Sequence, residues 1–231
     1  LHQGAVYVFT RSGGTWSQKA KIVASDGQAG DGFGRAVAFD PADETIAGST
    51  THLLTGGLTR VHLFERSGPT WVQKATLTPP APQANEQFGS TLALRSGRLV
   101  AGAPSRSIDG SAGRGAIVQF LRHETTGTWA LDQVIIDPVG AAGDAFGTSV
   151  ALHGEAMVVG ARGVDQPGEA NVGAVLVYWA GACNPNDAFG LLKFLPADVN
   201  QDSFVDCYDL ALLLGHWGEV EPGDPLDLDG D

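Results

Sequence analysis

The residues best suited to chemistry in this 231-residue chain lie near its carboxyl end. In DVNQDSFVDCYD, counted from Asp198, oxygen-bearing side chains fall at positions 1 (Asp198), 3 (Asn200), 5 (Asp202), 9 (Asp206) and 12 (Asp209), and Phe204 at position 7 offers its carbonyl. Calcium is a hard cation that takes about six to eight oxygens, so a turn with an oxygen at nearly every odd position surrounds one Ca2+. Without the ion, four carboxylates would crowd together, and each close pair costs up to ~4 kcal/mol at an effective dielectric of about 20. Metal binding and folding of this segment are therefore expected to be a single event. Ser203 stands at position 6, where glycine normally makes the left-handed turn. Asp227, Asp229 and Asp231 repeat positions 1, 3 and 5 at the start of a second loop. A merely solvated acidic tail would not place Val205, Leu210, Leu213 and Leu214 at core spacing.

Charge separates this segment from the rest. Residues 198–231 carry ten carboxylates and no lysine or arginine, which is -10 of the formal net charge of -12; residues 1–197 are nearly neutral. A strongly acidic segment with no basic cluster to offset it repels phosphate backbones, which excludes nucleic acid as an expected partner. With 32 glycines and 12 prolines interrupting the chain, no run reaches the roughly 20 apolar residues needed to span a bilayer. The two cysteines, Cys183 and Cys207, fit a secreted protein in which one disulfide ties the linker to the calcium loop, or they stand as two free thiols.

Three tryptophans, Trp16, Trp71 and Trp129, each precede a Phe-Gly pair at one fixed interval: Phe33-Gly34, Phe88-Gly89 and Phe146-Gly147. A small-residue stop follows each pair at a near-constant distance, at Gly48, at Gly102-Ala103-Pro104 and at Gly160-Ala161. The segments GAVYVF, TRVHLF, GAIVQF and GAVLVY recur in phase with these marks, so the region is an internal repeat. Each unit holds four runs of strand length separated by glycine, proline and aspartate, which predicts a four-stranded antiparallel sheet. Trp71, Gln73, Ala75 and Leu77 alternate with Val72, Lys74 and Thr76, the period of a strand. FGSTLAL and RLVAGA are apolar on both faces, as inner strands between neighbouring sheets would be.

The Phe-Gly and Gly-Ala-Pro marks over residues 4–178 resemble FG-GAP repeats, the blade units of integrin alpha subunits and of bacterial surface proteins. That resemblance implies a mostly β fold, a propeller of four-stranded antiparallel blades. The connections DPADE, RSG and HGE are too short and too poor in carboxylates for a blade calcium loop. About three and a half units are present where propellers close with about four to eight. The run order opens on a third strand and leaves the last unit without a fourth, so a longer secreted polypeptide is expected. The tail, DVNQDSFVDCYDLALLLGHWG above all, resembles a type I dockerin: two calcium loops, each followed by a leucine-rich helix, with Pro196 before the first loop where it disfavours an entering helix. This second resemblance implies a small α-helical module that docks on a cohesin-like partner through loop positions 10 and 11, here Cys207 and Tyr208. The expected organisation is blades over residues 1–180, a linker over 181–197 and a calcium module over 198–231.

Catalysis finds little support. The histidines have no zinc spacing, and there is no G-x-S-x-G elbow. Asp31, Glu86 and Asp144 recur two places before each Phe-Gly pair, and their equivalence in every unit indicates turn chemistry rather than acid–base work. The recurring tryptophans read as apolar anchors of outer strands rather than sugar-stacking platforms. Arg11, Arg66 and Arg122 read as solvated edge charges rather than an anion site, and the glycine-rich GSAGRG as a connecting loop. The expectation is a non-catalytic extracellular or cell-surface protein whose propeller loops bind a protein or glycan and whose calcium module docks it. Two alternatives stand: the accessory end of a larger secreted carbohydrate-degrading enzyme, and a module that stiffens the carboxyl end without meeting a cohesin.

Overall fold

The computed structural model describes residues 3–50, 58–154, 156–166, 168–179 and 191–192, and among these the regular elements are all β-strands. Strands β1 (Val6–Ser12) and β2 (Thr15–Ile22) form a two-stranded antiparallel sheet. Strands β3 (Val37–Asp40), β4 (Thr45–Ser49), β5 (Val61–Ser67) and β6 (Thr70–Leu77) form a four-stranded antiparallel meander in sequence order. Strands β7 (Leu92–Arg95), β8 (Arg98–Ala103), β9 (Ala116–Arg122) and β10 (Trp129–Ile135) repeat it. A further sheet runs in the order β11 (Phe146–His153), β12 (Ala156–Ala161), β13 (Ala174–Trp179), β14 (Leu191–Leu192).

The chain divides into two compact units. The first comprises Leu1–Leu152 with Val159–Ala174; the second comprises the described parts of His153–Val158 and Val175–Asp231. In the second unit β14 pairs antiparallel with β13, Val177 opposite Leu192 and Tyr178 opposite Leu191. The last sheet therefore does not stop after its third strand, where the run order left it without a fourth. A strand this short has no alternation to betray it in the sequence.

In the first unit the alternation read from β6 is what the fold uses. Trp71, Gln73, Ala75 and Leu77 are at least half-buried while Val72, Lys74 and Thr76 are exposed. The inner strands β4 and β8 are buried along nearly their whole length, because sheets cover both of their faces. FGSTLAL is not one strand: Ser90 N–H bonds back to Gln87 O (3.0 Å), and β7 starts only at Leu92. Each outer hairpin skips one residue at the same place, after Val8, after Leu63 and opposite Gln119, leaving Lys19, Lys74 and Asp132 unpaired in the ladder. Such bulges increase local twist, and their recurrence marks the hairpins as copies of one design.

Among the described residues, apolar clusters lie between consecutive sheets. One gathers Val6, Ile22, Ala24, Phe33, Ile46 and Phe64, from the first sheet and the second. Another joins Val61, Leu63 and Leu77 to Phe88, Leu99, Val118 and Phe120, from the second sheet and the third. Burying a large apolar side chain this fully contributes about 1.5–3 kcal/mol, so the seams between sheets are the main source of stability in this unit.

Candidate functional site

The joint that repeats along the chain is the turn leading into each Phe-Gly pair. Asp31 Oδ2 accepts the Gln28 N–H (2.8 Å), Glu86 Oε1 accepts the Gln83 N–H (3.1 Å) and Asp144 Oδ2 accepts the Ala141 N–H (2.7 Å). In each case the carboxylate residue's own N–H closes the same turn onto the carbonyl three places back, at 3.2, 3.4 and 3.4 Å. All three side chains are buried. An acidic side chain is used here because an ionised carboxylate accepts a backbone N–H more strongly than a neutral oxygen does.

The turn delivers the phenylalanine into the seam and the glycine against the preceding sheet. Phe33 sits edge-on to His62 (5.6 Å between ring centroids) and 5.8 Å from Phe64, while Phe88 lies 6.2 Å from Phe120. Gly34, Gly89 and Gly147 hold φ of 97°, 75° and 88°. A Cβ on Gly147 would stand 2.5 Å from Ala116 O, and one on Gly34 would stand 2.7 Å from Ala5 O. Glycine therefore meets two requirements there, a left-handed backbone and the closest approach of one sheet to the next. The small-residue stop has a similar cause, since a Cβ on Gly102 would lie 2.1 Å from Gly147 O.

Residues 16–49 and 129–178 match the FG-GAP repeat family. No curated protein matches the chain. Together the matched segments and the four-stranded sheets fit a propeller-like FG-GAP domain, a family that is generally non-catalytic. Both matched stretches begin on an outer strand, β2 or β10, and end in the following sheet. Each matched stretch is thus out of phase with the sheet and carries the turn, phenylalanine and glycine of one seam. Residues 71–103 lie outside the matched stretches, yet they build the same joint around Glu86, Phe88 and Gly89.

The second joint has an addition of its own. Arg106, itself buried, forms an ion pair with Glu86 and donates to Pro80 O (2.8 Å) and Ala81 O (3.4 Å), so one guanidinium ties both ends of the loop before β7. Two of the arginines read as edge charges are paired: Arg66 with Glu44 at 2.6 Å on the exposed surface, and Arg122 with Glu65 of the preceding sheet at 3.1 Å. All three face a tryptophan across their hairpins, Arg11 opposite Trp16, Arg66 opposite Trp71 and Arg122 opposite Trp129. Trp71 and Trp129 pack against the seam clusters as anchors. Trp16 does not, being 64% exposed, because no described sheet lies on that side of β1–β2. GSAGRG is a connecting loop, held by Arg114, which donates to Asp137 O (2.7 Å) and Pro138 O (3.0 Å).

One cluster escaped the sequence reading. His62, buried on β5, has its Nδ1 3.2 Å from Thr76 Oγ1, 3.3 Å from Gln73 Nε2 and 3.6 Å from Asp26 Oδ1, and Asp26 in turn meets Arg60 at 3.3 Å. Burial pushes the His62 imidazole below its ordinary pKa; Asp26 and Asp31 pull it up and Arg60 pushes it down, with a net lowering. Burial raises the Asp26 carboxyl, but its own backbone N–H, His62, Gln73 and Arg60 together hold it below the usual value. The available signal was positional, for the other repeats place Tyr7, Val118 and Leu176 where this one has a histidine. Nearby, a groove of about 610 Å³ runs between β2 and β6, with Ile22, Phe64 and Trp71 as apolar lining and Lys19 and Gln73 as polar lining.

The residues expected to bind calcium, Asp198, Asn200, Asp202, Phe204, Asp206 and Asp209, with Asp227, Asp229 and Asp231 of the expected second loop, the expected partner positions Cys207 and Tyr208, and the two cysteines Cys183 and Cys207 all lie outside the described residues.

Proposed function

We propose that this chain is a non-catalytic, extracellular binding protein in which FG-GAP sheets present a protein or glycan ligand surface and a calcium-folded module at residues 198–231 docks the protein to a partner. One observation carries the first half. The carboxylates that recur at every joint, which are the best acid–base candidates of the repeat region, are buried and committed to the same turn bond. They hold sheets in register instead of facing a substrate. The groove between β2 and β6 offers a ligand a half-buried indole, Trp71, an amphipathic surface on which a sugar or an apolar side chain stacks.

Support for the second half is the ligand order of Asp198, Asn200, Asp202, Asp206 and Asp209 together with the concentration of acidic charge around it. Calcium would supply the folding free energy of the docking surface. Terbium luminescence and calorimetric calcium titration of the full chain test this, with the Asp198→Ala/Asp209→Ala variant as control. Saturable binding that the double substitution abolishes supports the reading. Luminescence indifferent to the double substitution removes calcium from it, and with calcium the docking role.

A further inference from the structure

The groove between β2 and β6 carries a positive charge that its own sheets leave unused. Each outer hairpin has one bulge residue that the ladder skips, and in the second and third sheets that residue finds a partner on the adjacent strand. Lys74 lies 4.0 Å from Glu65, and Asp132 accepts from Gln119 Nε2 at 2.6 Å. In the first hairpin the bulge residue is Lys19, and Thr10 stands where the second sheet has Glu65. Lys19 is exposed, lines the groove and forms no ion pair among the described residues. Lys21, also in the lining, holds its amine over the Tyr7 ring at 5.8 Å, and no aspartate or glutamate lines the groove. Lys19 is therefore the charge left for a ligand.

The remaining walls define what fits beside that charge. Ile22 and Phe64 are buried and Trp71 is half-buried at the seam, so the floor is apolar and its indole is held in place. The Gln73 amide is committed, accepting the Ser25 N–H (2.8 Å) and donating to Thr76 Oγ1 (3.0 Å). Both walls are outermost strands, bonded among the described residues only on their inner sides, to β1 and to β5. Such an edge presents main-chain donors and acceptors. The volume of about 610 Å³ is that of a small-molecule site, which spans roughly 300–1,000 Å³. A uronic acid residue matches each part: an apolar C–H face for the indole, hydroxyls for the strand edges and a carboxylate for the ammonium. We infer that the β2–β6 groove binds an acidic glycan, a chain of uronic acid residues, with Trp71 stacking one ring and Lys19 pairing with its carboxylate. This rests on the glycan-binding surface proposed above and adds the charge of its ligand. An acidic peptide shares the charge but would bind by adding a strand, and the bulges at Lys19 and Lys74 interrupt both edges for such pairing.

Calorimetric titration of the full chain with tetragalacturonate, in calcium-free buffer of low ionic strength, tests this, with cellotetraose and tetraglutamate as comparisons. Tetragalacturonate should bind saturably and more tightly than either, and its affinity should fall as salt is added. Lys19→Glu turns attraction into repulsion and should weaken tetragalacturonate by about tenfold. Because Lys19 is exposed, this variant should melt with the wild type. Trp71→Phe keeps a smaller ring at the seam and should weaken the same sugar independently of salt. Equal affinity for the two sugars overturns the proposal and leaves a neutral-glycan surface standing. Tetragalacturonate binding that neither substitution moves overturns it too, placing the glycan site elsewhere on the sheets. Tighter binding of tetraglutamate assigns the groove to an acidic protein segment. No binding of either sugar removes the groove from the glycan reading altogether.

Discussion

Removing one member of the Glu86–Arg106 pair should cost far more than removing both charges. Both side chains are buried, at 3% and 8% exposure, and Arg106 also satisfies Pro80 O and Ala81 O. Arg106→Met leaves a buried carboxylate with the Gln83 N–H as its hydrogen-bond partner, and Glu86→Gln leaves a buried guanidinium without its counter-charge. An uncompensated buried charge costs about 3–5 kcal/mol, a large share of the roughly 5–15 kcal/mol that holds a typical domain together. The glutamine keeps an oxygen for the turn, so Glu86→Gln should sit near the lower end, ~3 kcal/mol. The double variant has no buried charge and loses mainly the two carbonyl bonds of Arg106, about 0.5–1.5 kcal/mol each. It should therefore be no less stable than the worse single variant, with a coupling of about 3 kcal/mol. Urea unfolding followed by tryptophan fluorescence reads this directly, since Trp71 and Trp129 are half-buried at the seams. Additive losses would show that the loop before β7 does not depend on this pair.

Other consequences are as specific. Phe88→Ala should destabilise the chain by about 3–5 kcal/mol, whereas Phe39→Ala, at a site 54% exposed, should cost under ~1 kcal/mol; equal effects would show that the seam is not the core. The lowered pKa of His62 means that the folded chain prefers the neutral ring, so the unfolded chain binds more protons below pH 6.5, the ordinary value for the group. Stability should be full above that pH and decline as pH falls from 6.5 towards the folded pKa. His62→Val, which installs the residue found at the equivalent position 118, should flatten this part of a Tm-versus-pH curve. An unchanged slope would place the acid sensitivity elsewhere.

The sequence by itself determined the sheets and the joints. Period-two alternation over Thr70–Leu77, the constant interval from tryptophan to Phe-Gly, and the acidic residue two places before each pair are local signals, and local backbone geometry obeyed them. The tertiary structure decided which copy of a repeated residue is buried. Trp16, Trp71 and Trp129 look alike in the chain, but among the described residues only the last two have a sheet to pack against; Tyr7 and His62 share one position, yet one faces solvent and the other packs against the ring of Phe33. Arg106 reaches back to Glu86 from beyond the β7–β8 hairpin, and Asp26 meets His62 from the preceding unit of the repeat, separations at which spacing carries no information. Burial depends on what the neighbouring sheet supplies, and a repeat cannot encode its own neighbour.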